Sequence, residues 1–178
     1  MSLQRSVPAH LPAAVWLLLL SVNPASGQES LDSAATRRPE PPAEARQFDF
    51  WLGEWDVVDP TGKHVGTNVI TSMLSGWGVM ERWTGDGGMV GMSLNAYDSS
   101  GERWHQTWVD DRGGFLLLDG EFTAGSMVLS GARKGAEVID RITWTPLESG
   151  DVRQVWDVSS DGGDSWSRVF DGTYNKKR

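Results

Sequence analysis

The sequence predicts an all-β fold: an antiparallel, up-and-down β-barrel of about ten strands, opened by one short helical turn. Three observations predict it. From Gln47 onward, turn-forming residues recur about every ten positions. Between them, short runs alternate apolar and polar with period two, and no segment keeps helical periodicity for the length of a full helix. Finally, 20 of the 21 glycines and nine of the ten tryptophans lie between Trp51 and Gly172, whereas six of the eight prolines lie before Gln47.

Two segments of different composition precede this domain. Residues 1–27 read as a secretory signal peptide: Arg5 gives a basic start, Leu11 to Val22 form an apolar run, and Ala25-Ser26-Gly27 offer small residues for cleavage. The run is shorter than the roughly 20 residues a bilayer span needs, so no stable membrane insertion is expected after cleavage. Cleavage after Gly27 removes Arg5 and no acid, taking the net charge from −8 to −9. Residues 28–46 are rich in Pro, Ala and Glu and lack large apolar side chains, the composition of a disordered tether. Residues 47–178 form the single domain, exported to a periplasmic or extracellular space.

Within the domain, Phe48, Trp51 and Leu52 stand at i, i+3 and i+4, which predicts a short helical turn stopped by Gly53. The runs that follow predict strands at 54–58, 64–74, 79–84, 89–97, 103–110, 115–119, 126–131, 137–145, 152–159 and 165–174. Alternation places Trp104, Gln106 and Trp108 on one face, and Val152, Gln154, Trp156 and Val158 on another. Val90, Met92, Leu94 and Ala96 make a third such face, and Val138, Asp140, Ile142 and Trp144 a fourth. The tight turns force antiparallel pairing, because a parallel crossover needs a dozen residues or so. A two-sheet sandwich would need a longer crossing link, and none is present, so closure into a barrel is favoured. Ser159 to Trp166 (SSDGGDSW) matches the Ser-x-Asp-x-Gly-x-x-Trp Asp box. A single copy reads as a hairpin brace rather than a propeller blade.

Composition excludes several classes of function. Zero cysteines rule out disulfides and thiolate metal sites. A formal net charge of −8 argues against nucleic acid, whose phosphates call for a basic face. Only His64 and His105 follow the leader, on different strands, so neither a haem ligand nor a metal cluster is expected, and no cofactor is assigned. Calcium at the acidic turns Asp110-Asp111 and Asp161/Asp164 stays open, although neither loop has the Asp-x-Asp-x-Asp-Gly pattern of a cage. There is no Gly-x-Ser-x-Gly elbow, phosphate loop or Cys nucleophile, so no catalytic residue is assigned.

Gly53-Glu54-Trp55, after the helical turn and opening the first strand, resembles the Gly-x-Trp signature of lipocalins and their calycin relatives. With SLNAYD at 93–98, RWHQTWVDD at 103–111, RITWTP at 141–146 and VRQVWDVSSDGGDSW at 152–166, the chain resembles a bacterial family of small exported proteins of unknown function with a lipocalin-like barrel. The family often carries Cys where this chain has Trp77. The resemblance implies a fold and an export address but no chemistry.

Polar residues in register with inward tryptophans need a reason, because a barrel interior is ordinarily apolar. Gln106 lies between Trp104 and Trp108, Gln154 between Val152 and Trp156, Glu81 between Val79 and Trp83, and Asp140 between Val138 and Ile142. They are either orienting groups in an aromatic-walled pocket or a satisfied internal network that fixes register. The tryptophans either stack on a ligand or fill a wide barrel. The candidate ligand-binding residues are therefore Trp83, Trp104, Trp108, Trp144 and Trp156 as walls, with Glu81, Gln106, Asp140 and Gln154 as orienting groups. The expectation is a monomer that holds a small apolar or aromatic molecule. Two alternatives stay open: a cofactor-independent isomerase or lyase using Glu81 or Asp140, and an envelope interaction module with a filled barrel. A cavity below roughly 300 Å³ would favour the last.

Overall fold

The computed structural model describes residues 39–177. The segment expected to be a signal peptide and most of the expected tether lie outside the described residues. Everything below belongs to the unit Glu40–Arg178. It contains ten strands: β1 (Gly53–Val58), β2 (His64–Met73), β3 (Gly78–Gly85), β4 (Val90–Asp98), β5 (Arg103–Asp110), β6 (Phe115–Thr123), β7 (Ser126–Ala132), β8 (Ile139–Pro146), β9 (Val152–Ser159) and β10 (Ser167–Lys176). Each pairs antiparallel with its sequence neighbour, and β1 pairs with β10 to close the barrel. Closure gives every strand two partners and leaves no edge, so every ladder hydrogen bond is made within the chain.

Two single 3-10 turns, Ala43–Arg46 and Asp49–Trp51, precede β1. The second is the helical turn expected from Phe48, Trp51 and Leu52. The first lies inside the segment read as a tether. It is ordered because Ala45 is small enough to sit buried, at 1% exposure, and because Arg46 pairs with Asp49 at 2.5 Å. The chain leaves the second turn through Gly53 at φ +142°, a conformation that side chains other than glycine rarely adopt.

These turns plug one end of the barrel. Phe48 stacks on Trp51 at 4.9 Å and meets Trp104 and Trp144 edge-on at 5.6 and 5.2 Å. Trp55 donates its indole N–H to the Trp51 carbonyl at 3.0 Å, fixing the turn to the start of β1. Trp51, Trp55, Trp104, Trp144 and Tyr174 are all at most 1% exposed, so this end is solid. The other end is bounded by the β1–β2, β3–β4, β5–β6, β7–β8 and β9–β10 turns and forms the mouth.

One inward face departs from expectation. On β4 the buried residues are Gly91, Ser93 and Asn95, while Val90, Met92 and Leu94 are 49%, 42% and 53% exposed. The reason lies across the sheet. Ser93 is directly opposite Glu81 and Asn95 directly opposite Gln106, so small polar side chains are needed inside. Gly91 leaves room for the Trp108 ring, since a Cβ there would stand 2.3 Å from it.

The Asp box behaves as a brace. Ser159 Oγ donates to Asp161 Oδ1 at 2.7 Å, Gly163 N donates to Ser159 Oγ at 2.9 Å, and the Trp166 indole donates to the Gly163 carbonyl at 3.0 Å. Arg141 stacks on the outer Trp166 ring at 3.8 Å.

Candidate functional site

Between the plugged end and the mouth, a belt of polar side chains runs round the barrel wall. Asn68 Nδ2 and Ser93 Oγ each donate to Glu81 at 2.7 Å, to Oε1 and Oε2 respectively. Asn95 Nδ2 donates to Ser93 Oγ at 2.9 Å and to the Val79 carbonyl at 3.4 Å. Gln106 Nε2 donates to Asn95 Oδ1 at 2.8 Å. On the far side of β1, the Tyr174 hydroxyl donates to Gln154 Oε1. All these side chains are buried. Their burial is tolerable because most of their hydrogen-bonding groups find partners.

The belt is not fully satisfied. Among the described residues Asn68 Oδ1 and the indole nitrogens of Trp51, Trp83 and Trp144 are buried without a partner. Glu81 carries the electrostatic consequence. Burial raises its pKa from 4.5 to about 7, against the opposing pull of the Ser93 and Asn68 hydrogen bonds. Burial also pushes the Tyr174 hydroxyl well above its usual range, helped by the charge of Glu81 and opposed by the Asn68 amide.

Above the belt a cavity of ≈ 130 Å³ remains. Its polar floor is Glu81, Gln106, Gln154 and Tyr174. Its aromatic walls are Trp83, Trp108, Trp144, Trp156 and Phe170, completed by Met89, Leu116 and Ile142. Toward the mouth Trp108, Leu116 and Trp156 also line an outer depression of ≈ 290 Å³ that includes Arg133 and Asp110, so the two spaces meet at these three residues. Trp108 donates to Asp110 Oδ2 at 3.2 Å and Trp156 to Asp140 Oδ1 at 2.8 Å, so each mouth indole is held by a carboxylate.

Glycine keeps the cavity open. A Cβ at Gly66 would stand 2.7 Å from the Trp83 ring, one at Gly91 2.3 Å from Trp108, and one at Gly172 2.6 Å from Phe170. The three rings therefore lie against bare backbone instead of filling the lumen.

Seven of the nine expected residues line this cavity: Glu81, Trp83, Gln106, Trp108, Trp144, Gln154 and Trp156. Trp104 does not. It faces inward but belongs to the plug, fully buried against Phe48 and 6.0 Å from Tyr97. Asp140 is inward and buried but is bound by Arg133 at 2.7 and 2.8 Å and by Trp156. It steadies the mouth rather than the cavity floor, so the Glu81–Asp140 acid pair weighed from the sequence is not formed. The sequence reading missed Tyr174 and Phe170, which follow the same period-two face of β10 as Gly172. It also missed Asn68, Ser93 and Asn95, whose small polar side chains gave no amphipathic signal. Among the described residues no group of three or more His, Asp or Glu could hold a metal ion.

The closed ten-stranded barrel, entered through a helical turn and Gly53-Glu54-Trp55, is consistent with the calycin type. No protein-family model matches the chain, and no curated protein shows significant similarity to it.

Proposed function

We propose that this is an exported, monomeric calycin-type barrel, of the bacterial lipocalin-like kind its motifs resemble, that binds one small apolar or aromatic molecule. The observation that carries the reading is the aromatic-walled cavity of ≈ 130 Å³ above a polar floor of two amides, a carboxyl and a phenolic hydroxyl. Its size narrows the ligand. It is smaller than the roughly 300 Å³ at the lower end for drug-sized ligands, so volume alone favours the filled-barrel interaction module, and the aromatic walls over a polar floor are what support binding instead. It is close to the roughly 150 Å³ of an engineered apolar cavity that takes benzene. A single ring fits within it, and a longer molecule would have to extend past Trp108 and Trp156 into the outer depression. Native mass spectrometry of the exported protein, with quenching of tryptophan fluorescence by toluene and phenol, tests this. A co-purified small molecule, or saturable quenching by either, supports it. Failure of both leaves the filled-barrel interaction module as the reading, with the exposed face of β4 to β6 as its working surface. Export is tested by N-terminal sequencing of the secreted chain, expected to begin at Gln28.

A second reading is favoured by one observation: a buried carboxyl on the cavity floor with its pKa at about 7. A group poised there suits general acid–base work, as in a cofactor-independent isomerase or lyase. Against it, both Glu81 oxygens already accept hydrogen bonds from Asn68 and Ser93. Solvent deuterium entering a bound molecule with the wild type but not with Glu81→Gln would support catalysis.

A further inference from the structure

The belt is directional, and its direction decides what its two ends offer. The Val79 carbonyl can only accept, so the Asn95 amide nitrogen faces it and Asn95 Oδ1 faces Gln106. Gln106 must then present its nitrogen to Asn95, which leaves Gln106 Oε1 without a partner among the described residues. At the other end, Gln154 Oε1 takes the Tyr174 hydroxyl, which leaves Gln154 Nε2 without one. Neither free atom is among the enclosed unpaired atoms of the interior, and both side chains line the cavity at 2% and 9% exposure. The floor therefore offers one acceptor, on β5, and one donor, on β9.

We propose that the cavity takes a neutral, single-ring aromatic carrying a hydroxyl, a phenol, whose O–H donates to Gln106 Oε1 and whose oxygen accepts from Gln154 Nε2. This rests on the binding reading above and names its ligand class. A hydroxyl donates and accepts through one oxygen, so it is the smallest group that can answer both an acceptor and a donor in a cavity with room for a ring. An ether only accepts and a hydrocarbon does neither, so each leaves a buried amide group unpaired. An anion is disfavoured on charge. The lining holds the Glu81 carboxyl and no cation, and the one basic side chain in the adjoining depression, Arg133, is bound to Asp140.

The test compares phenol, toluene, anisole and benzoate by quenching of tryptophan fluorescence and by calorimetry. Phenol is expected to bind about tenfold or more tightly than toluene and anisole, with benzoate weakest. In Gln106→Leu and Gln154→Leu the preference for phenol over toluene should shrink to about threefold or less while toluene still binds, which shows that the fold and the cavity survive. Toluene binding as tightly as phenol in the wild type would overturn the phenol assignment and leave the cavity reading intact. Anisole matching phenol would overturn the role of Gln106. If none of the four binds, the cavity reading itself fails.

Discussion

The indole N–H of Trp156 donates to Asp140 at 2.8 Å, and the same carboxylate is gripped by Arg133 at 2.7 and 2.8 Å. This joins the mouth of the cavity to the β7–β8 turn, because Trp156 lines the cavity and Arg133 lies beyond the end of β7. The two partners of the ion pair are unequal: the Asp140 side chain is fully buried, whereas Arg133 is 43% exposed.

That inequality predicts an order of effects. Arg133→Ala leaves a buried carboxylate with only an indole partner, and should cost about 3 kcal/mol at neutral pH. Asp140→Asn leaves a guanidinium that water can solvate and an amide oxygen that can still hold Trp156, so about 1–2 kcal/mol is expected. Urea unfolding of the two variants gives the ranking. Equal losses, or the reverse order, would show that the pair is not asymmetric in this way.

The glycine seats predict a specific loss of cavity. Gly91→Ala places a methyl 2.3 Å from the Trp108 ring, so the ring must leave the wall and enter the lumen or the mouth. Overpacking of this kind costs about 1–3 kcal/mol. A shifted tryptophan emission and weaker binding of a single-ring aromatic should accompany it. Gly87→Ala is the control, because nothing lies within 4 Å of the added methyl. Wild-type binding by Gly91→Ala would mean that the seat does not hold the cavity open.

Glu81 predicts how stability depends on pH. Its pKa is about 7 in the folded protein and 4.5 when solvated, so the folded state keeps a proton that the unfolded chain releases. Stability is therefore full below pH 4.5, declines from 4.5 to 7 and then levels off, a total of roughly 3 kcal/mol from this group. Asp59, Asp98, Asp110, Asp161 and Asp171 have lowered pKa values and act in the opposite sense, at pH below that window. His64, raised by Asp86, also contributes stability that is lost as pH rises past its pKa. Glu81→Gln keeps those groups and should abolish the Glu81 part of the decline, as measured by thermal melts at pH 5 and pH 8. A variant that declines as steeply as the wild type would mean that Glu81 is not the buried acid responsible.

The plug should separate stability from binding. Phe48 is fully buried among Phe50, Trp51, Trp104 and Trp144, so Phe48→Ala is expected to lose about 3–5 kcal/mol. Phe48 does not line the cavity. At a temperature where the variant is folded, the affinity for a single-ring aromatic should stay within about threefold of wild type, as expected for a site that shares no direct contact with the change. A larger loss would make the plug part of the site.

The order of elements was legible because it rests on local chemistry. Asp59-Pro60-Thr61-Gly62 and Gly85 to Gly88 punctuate the chain wherever they occur, and period-two alternation identifies the inward face of β5, β8 and β9. Glu81, Gln106 and Gln154 stood out for the same reason, as polar residues in register with tryptophan. The β4 face was misleading because hydrophobicity was its only cue. Its apolar side looks outward, and continues across Val109, Phe115 and Leu117, all at least 40% exposed. Trp104 and Trp108 are four residues apart on one face, yet one belongs to the plug and the other to the cavity. That difference depends on depth along the barrel axis, which alternation does not encode.

Residue order alone therefore specifies ten antiparallel strands, a capped entry at Gly53 and the side of most strands that faces the core. Whether the core is full or hollow is set by how the paired strands pack. Hairpin register puts Gly66 under Trp83 and Gly91 under Trp108, joins Asn68 to Glu81 across 13 residues of sequence, and ties Asp140 to Arg133, while on β10 Gly172 makes room for Phe170 two residues away. Most of these are contacts between neighbouring strands. Their presence depends on register and on depth along the barrel axis, which are settled when the barrel closes and its interior packs.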